Sequence, residues 1–144
     1  MLIGQYIHTL DPKKRLSLPA KFRKELGKTV VITHGWDACL SVYSAKEWKR
    51  TVETYTNLSV GQSDTRKLTR FIVGNASEVD IDAAGRVLIP DALKDLANFS
   101  EKVVVVGLQD HVELWDEATW KSYQDTARDR ADAIAEKLGE SGEL

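Results

Sequence analysis

Short apolar runs of a few residues, each closed by a turn-forming residue, alternate along this chain with stripes at helical spacing. Arg15 to Leu18 and Arg86 to Ile89 alternate or run apolar over four positions, as short strands do, and a proline follows each. Pro19 and Pro90 are placed to open helices at the first helical position, where a missing N–H costs nothing. Gly27 closes the first of these after about one heptad. Val30 to Thr33 and Val103 to Val106 are β-branched runs that predict buried strands. After a strand over Leu40 to Tyr43, Ser44-Ala45-Lys46-Glu47 has the form of a capping box, the serine accepting from the Glu47 N–H and the glutamate reaching back. Trp48, Val52 and Tyr55 then form a stripe expected to face the core. A longer helix begins at Asp116 and repeats Trp120, Tyr123, Ala127, Ala131, Ile134 and Leu138 at spacings of three or four, for packing internally or on a partner. Between these blocks, Asn57 to Ser63 reads as a polar loop, and Leu68, Phe71 and Ile72 predict a connecting helix that ends at Gly74.

The same order of elements occurs twice. The segment from Asp11 to Arg23, DPKKRLSLPAKFR, aligns at an offset of 71 with Asp82 to Lys94, DAAGRVLIPDALK, so that the pattern Asp-x-x-x-Arg-apolar-x-apolar-Pro recurs. Val30-Val31-Ile32 answers Val103-Val104-Val105, and Leu40 to Trp48 answers Val112 to Trp120 at an offset of 72. Matched blocks in the same order with nearly constant spacing indicate a duplication. The organisation expected is a first repeat over 1–56, a connecting loop and helix over 57–74, a second repeat over 75–124, and a C-terminal helix and tail over 125–144.

Charge changes the picture next. The net charge is only −2, but residues 1–73 hold 13 Lys and Arg against 6 Asp and Glu, a balance of +7, whereas residues 74–144 hold 7 against 16, a balance of −9. A basic half calls for a polyanionic partner. An acidic half can dock on the basic half of a neighbour or suppress non-specific binding. The remaining composition, 42% hydrophobic and 29% charged, is that of a soluble globular protein. One cysteine, Cys39, excludes an internal disulfide. With His8, His34 and His111 scattered, there is no metal-ligand spacing, and neither metal nor cofactor is expected. No leader-like or membrane-length apolar segment occurs, so the cytoplasm is the expected compartment. No Gly-x-Ser-x-Gly, phosphate-cradling loop or Cys/His constellation points to an enzyme, and no small-molecule substrate is expected.

The doubled Asp-x-x-x-Arg motif, the proline that follows it and the Glu113-Leu114-Trp115-Asp116 segment resemble the MraZ family, a bacterial branch of the AbrB-like swapped-hairpin DNA binders, over roughly residues 1–124. The resemblance implies an α+β fold. Two tandem copies of an AbrB-like swapped-hairpin β-barrel half would form an intramolecular pseudo-dimer, with short helices and a C-terminal helix. It further implies subunits assembled in rings and a regulator, usually a repressor, of the cell-division and cell-wall gene cluster, bound to repeated promoter sequences in the nucleoid. DNA contact is implied at the basic loop, which here carries Lys13, Lys14 and Arg15.

That loop suits double-stranded DNA on physical grounds too. Lysines are mobile point charges for phosphates, and an arginine fork matches guanine O6 and N7 together. Arg15 is therefore expected to make base-edge or bidentate phosphate contacts, and Lys13 and Lys14 to position the backbone. Asp11 would repel DNA if free, so it is expected to bond turn N–H groups or orient Arg15. In the second copy Asp82, Ala83, Ala84, Gly85 and Arg86 carry no net charge, against +2 for the first loop. Asp82 is expected to act as Asp11 does, with Arg86 an auxiliary contact and the first loop the principal reader. Gly85 fits a positive-φ turn position that Lys14 must occupy at a cost of roughly 1 kcal/mol. A duplicated scaffold that binds protein rather than DNA, with Trp36, Trp48, Trp115 and Trp120 on its surfaces, is the main alternative. An antitoxin-type regulator using Arg128 to Leu144 as its tail is another.

Overall fold

The computed structural model describes all 144 residues. In chain order the elements are β1 (Leu2–Thr9), β2 (Arg15–Ser17), α1 (Ala20–Leu26), β3 (Thr29–His34), β4 (Leu40–Ser44), α2 (Ala45–Thr56), α3 (Ser63–Ile72), β5 (Ser77–Asp80), β6 (Arg86–Leu88), α4 (Asp91–Ala97), β7 (Lys102–Gln109), β8 (Val112–Asp116) and α5 (Glu117–Glu140). The duplication is plain in this order, since β1-β2-α1-β3-β4-α2 is followed, after α3, by β5-β6-α4-β7-β8-α5.

The two copies interleave. Six strands form one antiparallel sheet in the order β1-β7-β8-β4-β3-β5, and β2 and β6 form a separate two-stranded ribbon. Only the hairpins β3-β4 and β7-β8 pair within a copy. The pairs β1-β7, β3-β5, β4-β8 and β2-β6 all join one copy to the other. At the centre Leu40 faces Leu114 and Val42 faces Val112, a register that exchanging the copies reproduces. This is the intramolecular pseudo-dimer of an α+β fold.

A single core follows from that interleaving. Nineteen buried apolar residues, among them Leu16, Phe22, Val30 and Ile32 from the first copy and Val87, Leu93, Val103 and Leu114 from the second, make one cluster. The Val103–Val106 run is apolar throughout because both faces of its strand are covered: Val103 and Val105 join the main core, while Val104 and Val106 meet Cys39 and Trp115 on the other side. Trp120 and Tyr123 of α5 pack on Trp115, with ring centroids 5.2 and 4.8 Å away. Beyond Ala127 every residue of α5 is exposed, Ile134 and Leu138 included, so the distal stripe is not packed internally.

Three local expectations need correction. Pro19 and Pro90 stand one position before the first helical residue, in extended conformation with ψ of 134° and 141°, and their carbonyls accept from the first turn. Only half of the capping box forms: Ser44 Oγ accepts from the Glu47 N–H at 3.2 Å, but the Glu47 carboxylate turns to Arg50, three residues on and one turn along the helix. Trp48, Val52 and Tyr55 are half-buried rather than core, because α2 packs on β3 and β4 beside α3 and leaves one flank to solvent. Of the four tryptophans only Trp36 is largely exposed.

The β7-β8 turn holds an ionisable cluster. His111 stacks on Tyr43, approaches Asp110 at 2.6 Å, and lies 3.9 Å from the half-buried Glu113, which also accepts from Trp115 Nε1. Burial pulls the imidazole down, but bonds to Glu113 and Asp110 outweigh it and raise its pKa above 6.5. The stabilisation is thus fully present below that value and lost as pH rises through the raised one. Urea midpoints at about pH 5.5 and about pH 9 are expected to fall further for the wild-type chain than for His111→Gln; equal falls would remove His111 as the source.

Candidate nucleic-acid interface

The two Asp-x-x-x-Arg segments fold into the same turn. Asp11 Oδ1 accepts from the Lys13 and Arg15 backbone N–H groups at 2.9 and 2.8 Å, and Oδ2 accepts from Arg15 Nε at 2.9 Å. Asp82 repeats this with Ala84 N, Arg86 N and Arg86 Nε at 3.0, 2.9 and 3.0 Å. The four-residue spacing therefore has a geometric reason: one carboxylate closes the turn with one oxygen and orients the arginine with the other. Accepting the arginine's backbone N–H, helped by its side chain and charge, holds both carboxyls below the ordinary carboxylate value, so they are ionised at neutral pH. Since each aspartate takes Nε, the terminal guanidinium nitrogens of Arg15 and Arg86 have no intramolecular partner.

Lys14 has φ of 64° where Gly85 has 80°, so the first turn keeps the shape of the second despite its side chain. Both tips are locked to the opposite copy. The Leu18 N–H donates to the Gly85 carbonyl at 3.0 Å and the Ile89 N–H to the Lys14 carbonyl at 2.8 Å.

Between the tips lies the ribbon. Arg15 pairs with Leu88, Leu16 with Val87, and Ser17 with Arg86. Strand alternation sends Leu16 and Val87 inward, where both are fully buried, and leaves Arg15, Ser17, Arg86 and Leu88 on the outer face. The two arginines sit diagonally across it.

Of the three loop cations, Lys13 is exposed, Arg15 is held by Asp11, and Lys14 pairs with Asp91 at the start of α4. That last pair is exposed on both sides and contributes little stability. Motif reading missed Arg23. Its guanidinium lies across the second loop, so close that a Cβ on Gly85 would fall 1.8 Å from Nη1, and its buried Nε has no hydrogen-bond partner. Its counterpart Lys94 lines the groove beside Asp11, Pro12 and Lys14. The alignment of Arg23 with Lys94 was the available signal. Their placement on the opposite copy's loop was not, because it depends on the strand exchange. No three His, Cys, Asp or Glu side chains converge as a cation site, and no helix is long and apolar enough to cross a membrane.

Comparison with known proteins agrees with the duplication. The family model described as "MraZ protein, putative antitoxin-like" matches residues 1–71 and again 72–139, which carries the similarity past the limit of 124 expected from motifs alone. A protein of Caldanaerobacter subterraneus subsp. tengcongensis named transcriptional regulator MraZ is 42% identical over 138 residues, 96% of each chain. Namesakes from Thermoanaerobacter pseudethanolicus, 42% identical over 97% of this chain and 98% of its own, and Clostridium acetobutylicum, 39% identical over 99% of each, are similar throughout. Among solved structures, the solution structure of PHS018 from Pyrococcus horikoshii aligns with 79% of this chain and 88% of its own at 12% identity, with a TM-score of 0.30, too slight a likeness to bear on the fold.

Proposed function

Because this chain belongs to the MraZ family, we propose that it is a DNA-binding transcriptional regulator, not an enzyme, and that it reads duplex DNA with the outer face of the β2-β6 ribbon. The observation that carries the reading is the pair of Asp-anchored arginines, Arg15 and Arg86, whose free guanidinium ends project from one face of a two-stranded ribbon. A ribbon of that kind fits the major groove, and an arginine fork held at Nε can still offer its terminal nitrogens to guanine O6 and N7. Lys13, Lys14 and Arg23 flank it and reach phosphates. Asp11 and Asp82 act as supports for the two arginines.

The finer reading adds assembly and target. The family resemblance implies a heterologous head-to-tail contact that closes into a ring when the rotation allows, but because the basic and acidic halves interleave in one sheet, their opposite charge balance in the sequence does not mark the two ends of that contact. A ring presents one DNA-reading face repeatedly in the same sense, favouring direct repeats in a promoter and gaining affinity from several weak contacts at once. The family resemblance, rather than this geometry, implies the target: the promoter of the division and cell-wall gene cluster, with repression the outcome and the nucleoid the place of action.

Electrophoretic shift with a duplex carrying direct promoter repeats tests the reading. Each phosphate neutralised adds about −0.9 to the slope of log K against log salt, so six contacts spread over the ring lower affinity by roughly a thousandfold between about 50 and 200 mM salt. A chain that assembles but shifts no DNA at the lowest salt would be a protein-binding scaffold instead.

A further inference from the structure

We propose that Leu88 is a specificity residue that contacts the 5-methyl group of a thymine beside the base read by Arg15, and that its contrast with Ser17 gives the ribbon a direction along DNA. This rests on the proposed DNA-reading role of the ribbon.

Leu88 is 55% exposed, although the alternation of its strand buries Val87 and Ile89 on either side almost completely. A single exposed leucine on an ordinary surface calls for no explanation. This one stands directly opposite Arg15, two residues from Arg86, and over a hollow lined by Pro12, Lys13, Lys14, Pro90 and Asp91, the last paired with Lys14. An apolar protein surface docking on Leu88 would strip water from Lys13 and from the terminal nitrogens of Arg15 and Arg86, which have no intramolecular partner, without compensating them. Duplex DNA compensates them with phosphates and guanine acceptors, and the one apolar group it displays in the major groove is the thymine methyl. Directly opposed residues have Cβ atoms about 5 Å apart, so Leu88 and Arg15 reach neighbouring bases.

The repeat makes the asymmetry specific. Leu88 occupies the position of Ser17, so exchanging the two copies maps Arg15 with Leu88 onto Arg86 with Ser17. One end of the face is therefore an arginine and a leucine beside Lys13 and Lys14. The other is an arginine and a serine beside Ala83, Ala84 and Arg23. A symmetric ribbon reads an inverted repeat. This one prefers a single orientation, as direct repeats require.

The test uses a duplex selected from a random pool by the full-length chain, with each thymine replaced singly by deoxyuridine, which lacks only the methyl group. Fluorescence anisotropy gives the affinities of the wild-type chain, Leu88→Ala, Leu88→Ser and Arg15→Ala, with thermal melts confirming that each variant is folded. One substitution is expected to weaken wild-type binding by about 4-fold, the effect of one methyl group. Both Leu88 variants should bind the two duplexes equally, while Arg15→Ala should bind both more weakly and keep the ratio. A duplex with no methyl-sensitive thymine, or a ratio that survives in Leu88→Ala, overturns the role of Leu88 and leaves the DNA-reading ribbon standing. Recovery of no duplex at all overturns both.

Discussion

Arg15→Ala is expected to lower affinity for a selected operator duplex by about 10- to 100-fold at constant salt, the loss of one bidentate base contact, with little change in the melting temperature. The side chain is partly exposed and its partner Asp11 keeps the two backbone N–H groups that close the turn, so the loop should hold its shape. The carboxylate it leaves behind faces DNA with its charge no longer offset, which adds to the loss. Arg15→Lys should rescue little, because an ammonium cannot bond Asp11 through Nε and offer two further donors in one plane. Arg86→Ala is expected to cost less. Arg23 already lays a second guanidinium across that loop, whereas the cations beside Arg15 are Lys13, Lys14, which is shared with Asp91, and Lys94, none of which offers a planar fork. Anisotropy titrations of the three variants decide this, and equal losses for Arg15→Ala and Arg86→Ala would end the proposal that the first loop is the principal reader.

Phe22→Ala should destabilise the chain by about 3–5 kcal/mol, a large share of the roughly 5–15 kcal/mol that holds a domain folded. The ring is fully buried, meets Tyr6 edge-on with centroids 5.3 Å apart and planes at 89°, and belongs to a cluster drawn from both copies. Since four of the six strand pairings join the copies, neither can unfold without opening the other's sheet, and one cooperative urea transition is expected. A loss below about 1 kcal/mol, or two separate transitions, would contradict a single shared core.

Features written within a few residues of one another were legible in the sequence. The turn at Asp11 to Arg15 is an example: its carboxylate bonds lie two and four positions away, so the residues that make it are adjacent in the chain and the aspartate's supporting role could be inferred before any fold was known. The strained φ of Lys14 was legible for the same reason, through comparison with Gly85 in the repeat. Helical periodicity correctly placed the helix carrying Trp48, Val52 and Tyr55, but not its depth, because the spacing of apolar residues says which side is covered and not how completely.

By itself, then, the chain determined its duplication, legible as a pattern that recurs at an offset of 71, and the helices, short strands and two arginine-bearing turns that arise from interactions across a handful of residues. Tertiary structure decided the rest: Lys14 with Asp91, 77 positions away, Arg23 across Gly85, and Leu88 opposite Arg15. These neighbours exist because β2 pairs with β6 rather than within its own copy, and that exchange is favoured by burying Leu16 against Val87 in a common core, a free energy that belongs to the whole fold and to no local segment.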